Sequence, residues 1–190
     1  MIELLDYRTL NQRVVHDLIP RAKEFVWLAT ANLKDMYVDR GAARFRSVLS
    51  LFSELAGRGV AIRILHASEP SQAFQQSIQR YKNLQDDAIE LALCPRVHMK
   101  VVIVDGVAAY AGSANITGAG LGEKSLRNRN FEVGWLTDES ATVEQLMRLF
   151  DDIWRGAHCK DCGRRNLCPL PLDKPGGTFN IQRSTLNIQH

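Results

Sequence analysis

The chain has 190 residues, 45% of them hydrophobic and 24% charged, which is enough for one domain with its own core and too few for two enzymatic domains. A formal net charge of +3 tolerates a polyanionic partner without demanding one, and an aromatic content of 7% advertises no RNA-stacking platform. No run reaches the roughly 18 apolar residues of a membrane helix, and the acidic start Met1-Ile2-Glu3-Leu4-Leu5-Asp6 lacks the pattern of a secretory signal, so a cytoplasmic protein with reduced cysteines is expected.

In chain order, Leu10, Val14, Val15, Leu18 and Ile19 recur at helical spacing within 9–24, with Pro20 closing or kinking the helix. The apolar run Phe25–Ala31 reads as a buried strand. Over 41–57, Phe45, Val48, Leu49, Phe52 and Leu55 share one helical face that ends at Gly57, and Gly59 turns the chain into a strand at 60–65. A polar helix at 70–84 and a strand at 89–93 follow. Strands at 98–104 and 107–112 flank Asp105-Gly106, a strong hairpin signal. A Gly-rich basic loop at 118–130, a strand at 131–137 and a helix at 138–155 complete the pattern. Alternating strands and helices with one tight hairpin give an α/β domain over 1–156, a mixed β-sheet flanked by helices. Residues 157–169 form a Cys-rich metal-binding module, and the Pro- and Gly-rich tail over 170–190 reads as disordered.

Chemistry concentrates in the hairpin. Residues two apart on a strand share a face, so His98 and Lys100 project together, and the Asp105-Gly106 turn brings 98–100 opposite 111–113. An imidazole, an ammonium, the Ser113 hydroxyl and the Asn115 carboxamide thereby meet at one end, where Gly112 permits close backbone approach. This set suits a phosphodiester. A neutral imidazole can attack phosphorus and split one hard step into two. Lys100 and Asn115 can hold the nonbridging oxygens as charge builds. No carboxylate cluster for a two-metal mechanism accompanies them, which favours metal-independent chemistry.

The pattern His98-x-Lys100-x4-Asp105-x6-Gly112-Ser113-x-Asn115 resembles the full His-Lys-Asp signature of the phospholipase D superfamily. Thr117, Gly118, Gly120-Leu121 and Asn130-Phe131-Glu132-Val133-Gly134 are similar to that family's downstream block, and the strand at 60–65 to its N-terminal half, so the likeness covers about 25–155. The resemblance implies that His98 is nucleophile or general acid, that Lys100 and Asn115 bind phosphate with Ser113 shaping the pocket, that Asp105 braces the hairpin, and that Glu132 orients an active-site histidine.

The family's mechanism uses two His-Lys motifs, and this chain has one: His16, His66, His158 and His190 have no lysine two residues on. A two-fold homodimer supplies the second half-site, as in the family's one-motif members, which resemble small bacterial nucleases. A phosphohistidine nuclease acting on DNA rather than RNA is therefore expected, within a larger DNA-processing or defence complex and without a membrane partner. Lys124, Arg127 and Arg129 would contact flanking phosphates if the basic loop borders the cleft, and otherwise form a solvated basic loop. The alternatives are a phospholipase D-type lipid phosphodiesterase and a non-catalytic nucleic-acid-binding scaffold. Catalysis itself calls for no cofactor.

Cys159, Cys162 and Cys168 stand as Cys-x2-Cys-x5-Cys, a metal-binding arrangement in a cytoplasmic protein. With His158 as fourth ligand they suit structural zinc; with distant Cys94 they suit a [4Fe-4S] cluster. The spacing is similar to the C-terminal cysteine loop of iron–sulfur nucleases of the RecB-like group.

Overall fold

A computed structural model describes residues 1–39, 45–84, 88–122, 124–175 and 177–179. Its centre is a mixed eight-stranded sheet in the order β1-β9-β8-β7-β2-β5-β6-β10. The strands are β1 (Ile2–Asp6), β2 (Phe25–Thr30), β5 (Ala61–His66), β6 (Ile89–Leu93), β7 (Val101–Val104), β8 (Ala108–Gly112), β9 (Val133–Thr137) and the two-residue edge strand β10 (Thr178–Phe179), while β3 (Tyr37–Asp39) and β4 (Phe45–Ser47) form a separate pair. β2, β5 and β6 run parallel, and β7 joins β2 antiparallel. All four residues of β7 are buried, as a central strand covered on both faces requires.

The two faces carry separate cores. Leu10, Val14, Val15 and Leu18 bury one side of the helix Asn11–Leu18 against Val26, Leu28, Ile62 and Ile64, together with α1 (Val48–Gly57) and α2 (Gln72–Ile78). On the opposite face α3 (Ser140–Trp154) sets Val143 and Phe150 on Ala29, Ile103 and Ala109. There Phe150 stacks between Trp27 and Trp154, with ring centroids 4.9 and 5.6 Å away.

The α/β class and the order of the elements match the sequence reading, with local differences. The first helix lies where its apolar spacing places it but is π-wound, and Ile19–Arg21 around Pro20 tightens to 3-10 geometry. The helix expected from 41 begins only at Val48, because the Ser47 side chain accepts the Leu49 N–H and caps it there. Phe45 belongs to β4, and 41–44 lie outside the described residues. Strand β1, which has no counterpart in the sequence reading, pairs antiparallel with β9. In the tail expected to be disordered, Thr178–Phe179 pairs with β6 in front of its open edge, while 180–190 lie outside the described residues. Among the described residues no helix is long and apolar enough to cross a membrane.

Candidate active site

The site forms at one end of the sheet, where β2, β5 and β8 finish and β7 and β9 begin. The ladder of β7 starts at Val101, so His98-Met99-Lys100 leads into the strand and is not part of it. The Gly112 N–H donates to the Lys100 carbonyl at 3.1 Å and continues the hairpin register Val101↔Ala111 outward. Lys100 is only 8% exposed, and its Nζ donates to the His98 carbonyl at 2.6 Å and lies 3.3 Å from both ring nitrogens. The imidazole itself is exposed. An ammonium is thus fixed beside an accessible imidazole.

Asn115 is held by its oxygen. Thr30 Oγ1 is 3.1 Å from Asn115 Oδ1, and the Asn32 N–H donates to the same oxygen at 3.1 Å. With the oxygen engaged, the amide NH2 is left as the group available to an anion. Thr30 Oγ1 also accepts the Ile116 N–H at 3.2 Å, so one buried hydroxyl sets both side chain and backbone of this turn. Thr30 and Asn32 have no motif to announce them; the signal was a polar residue closing the apolar run of β2. Ser113 donates its hydroxyl to Glu132 and accepts the Val133 N–H at 3.1 Å. The other Glu132 oxygen accepts from Asn130 Nδ2 at 3.0 Å. The Glu132 carboxylate therefore orders Ser113 and Asn130 within this protomer.

Two glycines make the floor. Gly112 and Gly134 are register partners, and Tyr110 is fully buried beneath them. A Cβ on Gly112 would fall 2.4 Å from the Tyr110 hydroxyl, and one on Gly134 2.4 Å from its ring. Burial pushes the phenol up to about 12, so Tyr110 serves as a neutral wall across the physiological range.

Residues 15–154 match the model of the family described as cardiolipin synthase, PLD-like domain. The chain belongs to the phospholipase D superfamily. The fold of this PLD-like domain is similar to that of Nuc, a phospholipase D family member from Salmonella typhimurium (TM-score 0.60, 18% identity, 82% of this chain and 94% of that one). It is similar also to NucT from Helicobacter pylori (TM-score 0.57, 18% identity, 80% and 94%). TrmBL2, an archaeal chromatin protein, aligns with TM-score 0.51 and 13% identity over 81% of this chain and 52% of its own. No curated protein matches the sequence.

Asp105 lies at the far end of the hairpin from His98. Its carboxylate accepts the N–H groups of Lys23, Glu24 and Phe25 at 2.9, 2.9 and 2.8 Å, and so fastens the PLD-like domain's hairpin turn to the start of β2. Partial burial acts to raise its pKa, but the three N–H donors outweigh that and hold the carboxyl below its usual range. In the basic loop, Lys124 and Arg127 are exposed. Arg129 instead donates to the carbonyls of Lys124 at 2.6 Å and Tyr7 at 3.3 Å, which makes it a strut of the loop.

Cys94, Cys159, Cys162 and Cys168 are half-buried free thiols around one cavity, and Cys94, Cys159 and Cys162 also line a neighbouring one that the exposed His158 borders. The Arg164 N–H, aided by the Arg96 guanidinium, draws the Cys162 thiol below its usual range, while burial pushes that of Cys168 up. Among the described residues no three His, Cys, Asp or Glu side chains converge closely enough to hold a single metal ion.

Proposed function

We propose that this PLD-like domain is one half of a metal-independent nuclease whose complete site is shared by two copies of the chain. The carrying observation is the half-site: an exposed imidazole beside an anchored ammonium, with Asn115 oriented by Thr30 and Asn32, and no second His-Lys pair in the sequence. In the shared site one His98 nitrogen bonds to phosphorus as the bond to the leaving oxygen breaks. That oxygen takes a proton from His98 of the second copy. Water then gives its proton to that second imidazole and displaces the phosphohistidine, restoring both groups. Lys100 and Asn115 bind the nonbridging oxygens throughout, and Ser113 with Glu132 keeps the pocket's far wall in place.

Two features support the pairing and the substrate. Beside Glu132 the edge formed by β1 and β9 exposes Phe131 (86%), Leu4 (77%), Ile2 (66%) and Val133 (53%), an apolar strip that a self-complementary contact would cover. Exposed Lys124 and Arg127 offer cations to phosphates flanking the scissile one. The likeness to a chromatin protein described as binding DNA favours nucleic acid over lipid, and DNA over RNA.

The test incubates the purified chain, with chelator, on single-stranded DNA, duplex DNA, RNA and phosphatidylcholine vesicles. DNA cleavage is expected, with loss of about a thousandfold or more in His98→Ala. Because the imidazole is exposed, that variant keeps its fold. Mixing wild type with excess His98→Ala should lower activity per wild-type chain as mixed dimers form. Cleavage of lipid alone, or full activity in mixtures, refutes the proposal.

A further inference from the structure

We propose that Cys94, Cys159, Cys162 and Cys168 together hold a thiophilic metal centre, and that Cys94 rather than His158 is the fourth ligand. The inference is independent of the nuclease reading. Three of the cysteines lie in a turn-rich segment with almost no core of its own. Between Ala157 and Pro169 no residue is buried, and Leu167 is 75% exposed. A segment of this kind needs a cross-link to hold one conformation.

The chain already directs the segment onto Cys94. The Cys94 N–H donates to the His66 carbonyl at 2.8 Å, which fixes it at the end of β6. Arg164 Nη1 donates to the Pro95 carbonyl at 3.1 Å and ties the cysteine segment to the residue after Cys94. Arg165 donates to the Cys159 carbonyl at 2.8 Å and pairs with Asp173 at 2.9 Å. Through these contacts a cysteine 65 residues before Cys159 in the chain comes to line the same cavity as the other three.

Charge supports the same conclusion. Four thiolates around zinc, or around a [4Fe-4S] cluster in its oxidised form, leave a net charge of about −2. Arg96, Arg164 and Arg165 line the cavity with the thiols, and Arg96 Nη1 reaches Cys162 Sγ at 3.8 Å. Guanidinium groups gathered around neutral thiols would lack this complementarity. The thiols share a cavity without converging on one point, so a single ion would have to draw the side chains inward, and a cluster, being wider, would draw them less. His158 is solvent-exposed and adjacent to Cys159, a poor arrangement for two ligands of one tetrahedron. Cys94 directly follows β6 and is separated from His98 by Pro95-Arg96-Val97 alone, and the Val97 N–H closes this turn on the Cys94 carbonyl at 2.9 Å. The metal would therefore anchor the turn that presents the imidazole.

The experiment purifies the full chain without oxygen and measures zinc, iron and acid-labile sulfide per chain, with X-ray absorption at the edge of the metal found. One zinc, or four irons with four sulfides, bears the proposal out, and visible absorption distinguishes the two. Four sulfur neighbours per metal ion are expected for zinc, and bridging sulfide with one thiolate per iron for the cluster. Cys94→Ser should retain less than a tenth of the metal and His158→Ala all of it. Metal-free protein after reconstitution with zinc or with iron and sulfide overturns the proposal. So does a zinc site with three sulfurs and one nitrogen, or full occupancy in Cys94→Ser. The absorption measurement on wild type decides the ligand set even if Cys94→Ser fails to fold.

Discussion

Replacing Asp105 by alanine removes the acceptor of three backbone N–H groups at the start of β2. Hydrogen bonds to a charged acceptor contribute about 1.5–3 kcal/mol each where water is excluded. Here only the Phe25 N–H is shielded, and those of Lys23 and Glu24 are exposed, so water replaces part of what is lost and about 2–3 kcal/mol remains. Alanine must also adopt the φ of +53° at this position, at a further cost of about 1 kcal/mol. At about 2–4 °C per kcal/mol for a domain of this size, the melting midpoint should fall by roughly 6–16 °C. Asparagine tolerates positive φ, and its one carbonyl oxygen can keep the Glu24 and Phe25 bonds, which share Oδ1. Asp105→Asn should therefore lose less than half as much. The carboxyl is held below its usual pKa, so its contribution is fully present above the unfolded value of 3.8 and disappears as pH falls through the folded one. The difference between wild type and Asp105→Asn should close in that acid range. Scanning calorimetry with phosphodiesterase assays at 25 °C provides the check. A midpoint unchanged in the alanine variant, a greater loss for asparagine, or lost activity in a fully folded variant would each refute this account of Asp105.

Three further outcomes are expected. Thr30→Val should keep its fold and lower kcat/KM about tenfold, the equivalent of one hydrogen bond of about 1.4 kcal/mol, and Thr30→Ser should restore it; an unchanged rate would show that Asn115 needs no help from β2. Gly134→Ala places a methyl 2.4 Å from the Tyr110 ring and should lower the calorimetric midpoint by about 2–12 °C, since overpacking costs about 1–3 kcal/mol; an unshifted midpoint would mean that the ring yields freely. Burial lowers the pKa of His66 from its ordinary 6.5, so the unfolded chain binds the proton first, and stability, whole above 6.5, should decline as pH falls below it. His66→Gln should flatten the melting profile between pH 7 and 5, and a profile identical to wild type would contradict the assignment.

The hairpin and its His98, Lys100, Ser113 and Asn115 were legible because their spacing is local: two strands joined by a short turn leave one register, and side-chain alternation does the rest. Strand β1 was not legible. As an edge strand with Ile2 and Leu4 exposed, it lacks the inside–outside alternation that marks a half-buried strand. The start of α1 was misread because Phe45 of β4 falls at helical spacing from Val48, Leu49 and Phe52, and only the Ser47 cap separates strand from helix. Thr30 and Asn32 escaped notice because their role depends on β2 lying beside β7, a contact about 75 residues apart in sequence. Arg129 looked like a ligand for phosphate, yet the carbonyl groups it serves are backbone atoms that no composition displays.

One hairpin thus divides its tasks between its two ends. At the turn, Asp105 holds β7 against β2 with a charge that meets only backbone; at the open end, Lys100 and Gly112 hold the same two strands in register and leave the imidazole free. At about 3.3 Å per residue, the seven residues from 98 to 105 separate these ends by about 20 Å, so substitutions at the turn should move stability and leave the rate constant alone, and those at the open end should do the reverse. Tyr110 departs from that division. It sits within β8 but directly under Gly112 and Gly134, where a change in packing displaces the backbone that positions Ser113. A variant such as Tyr110→Leu should therefore lower stability and rate together, and loss of one without the other would show that the floor of the site is not rigidly coupled to its donors.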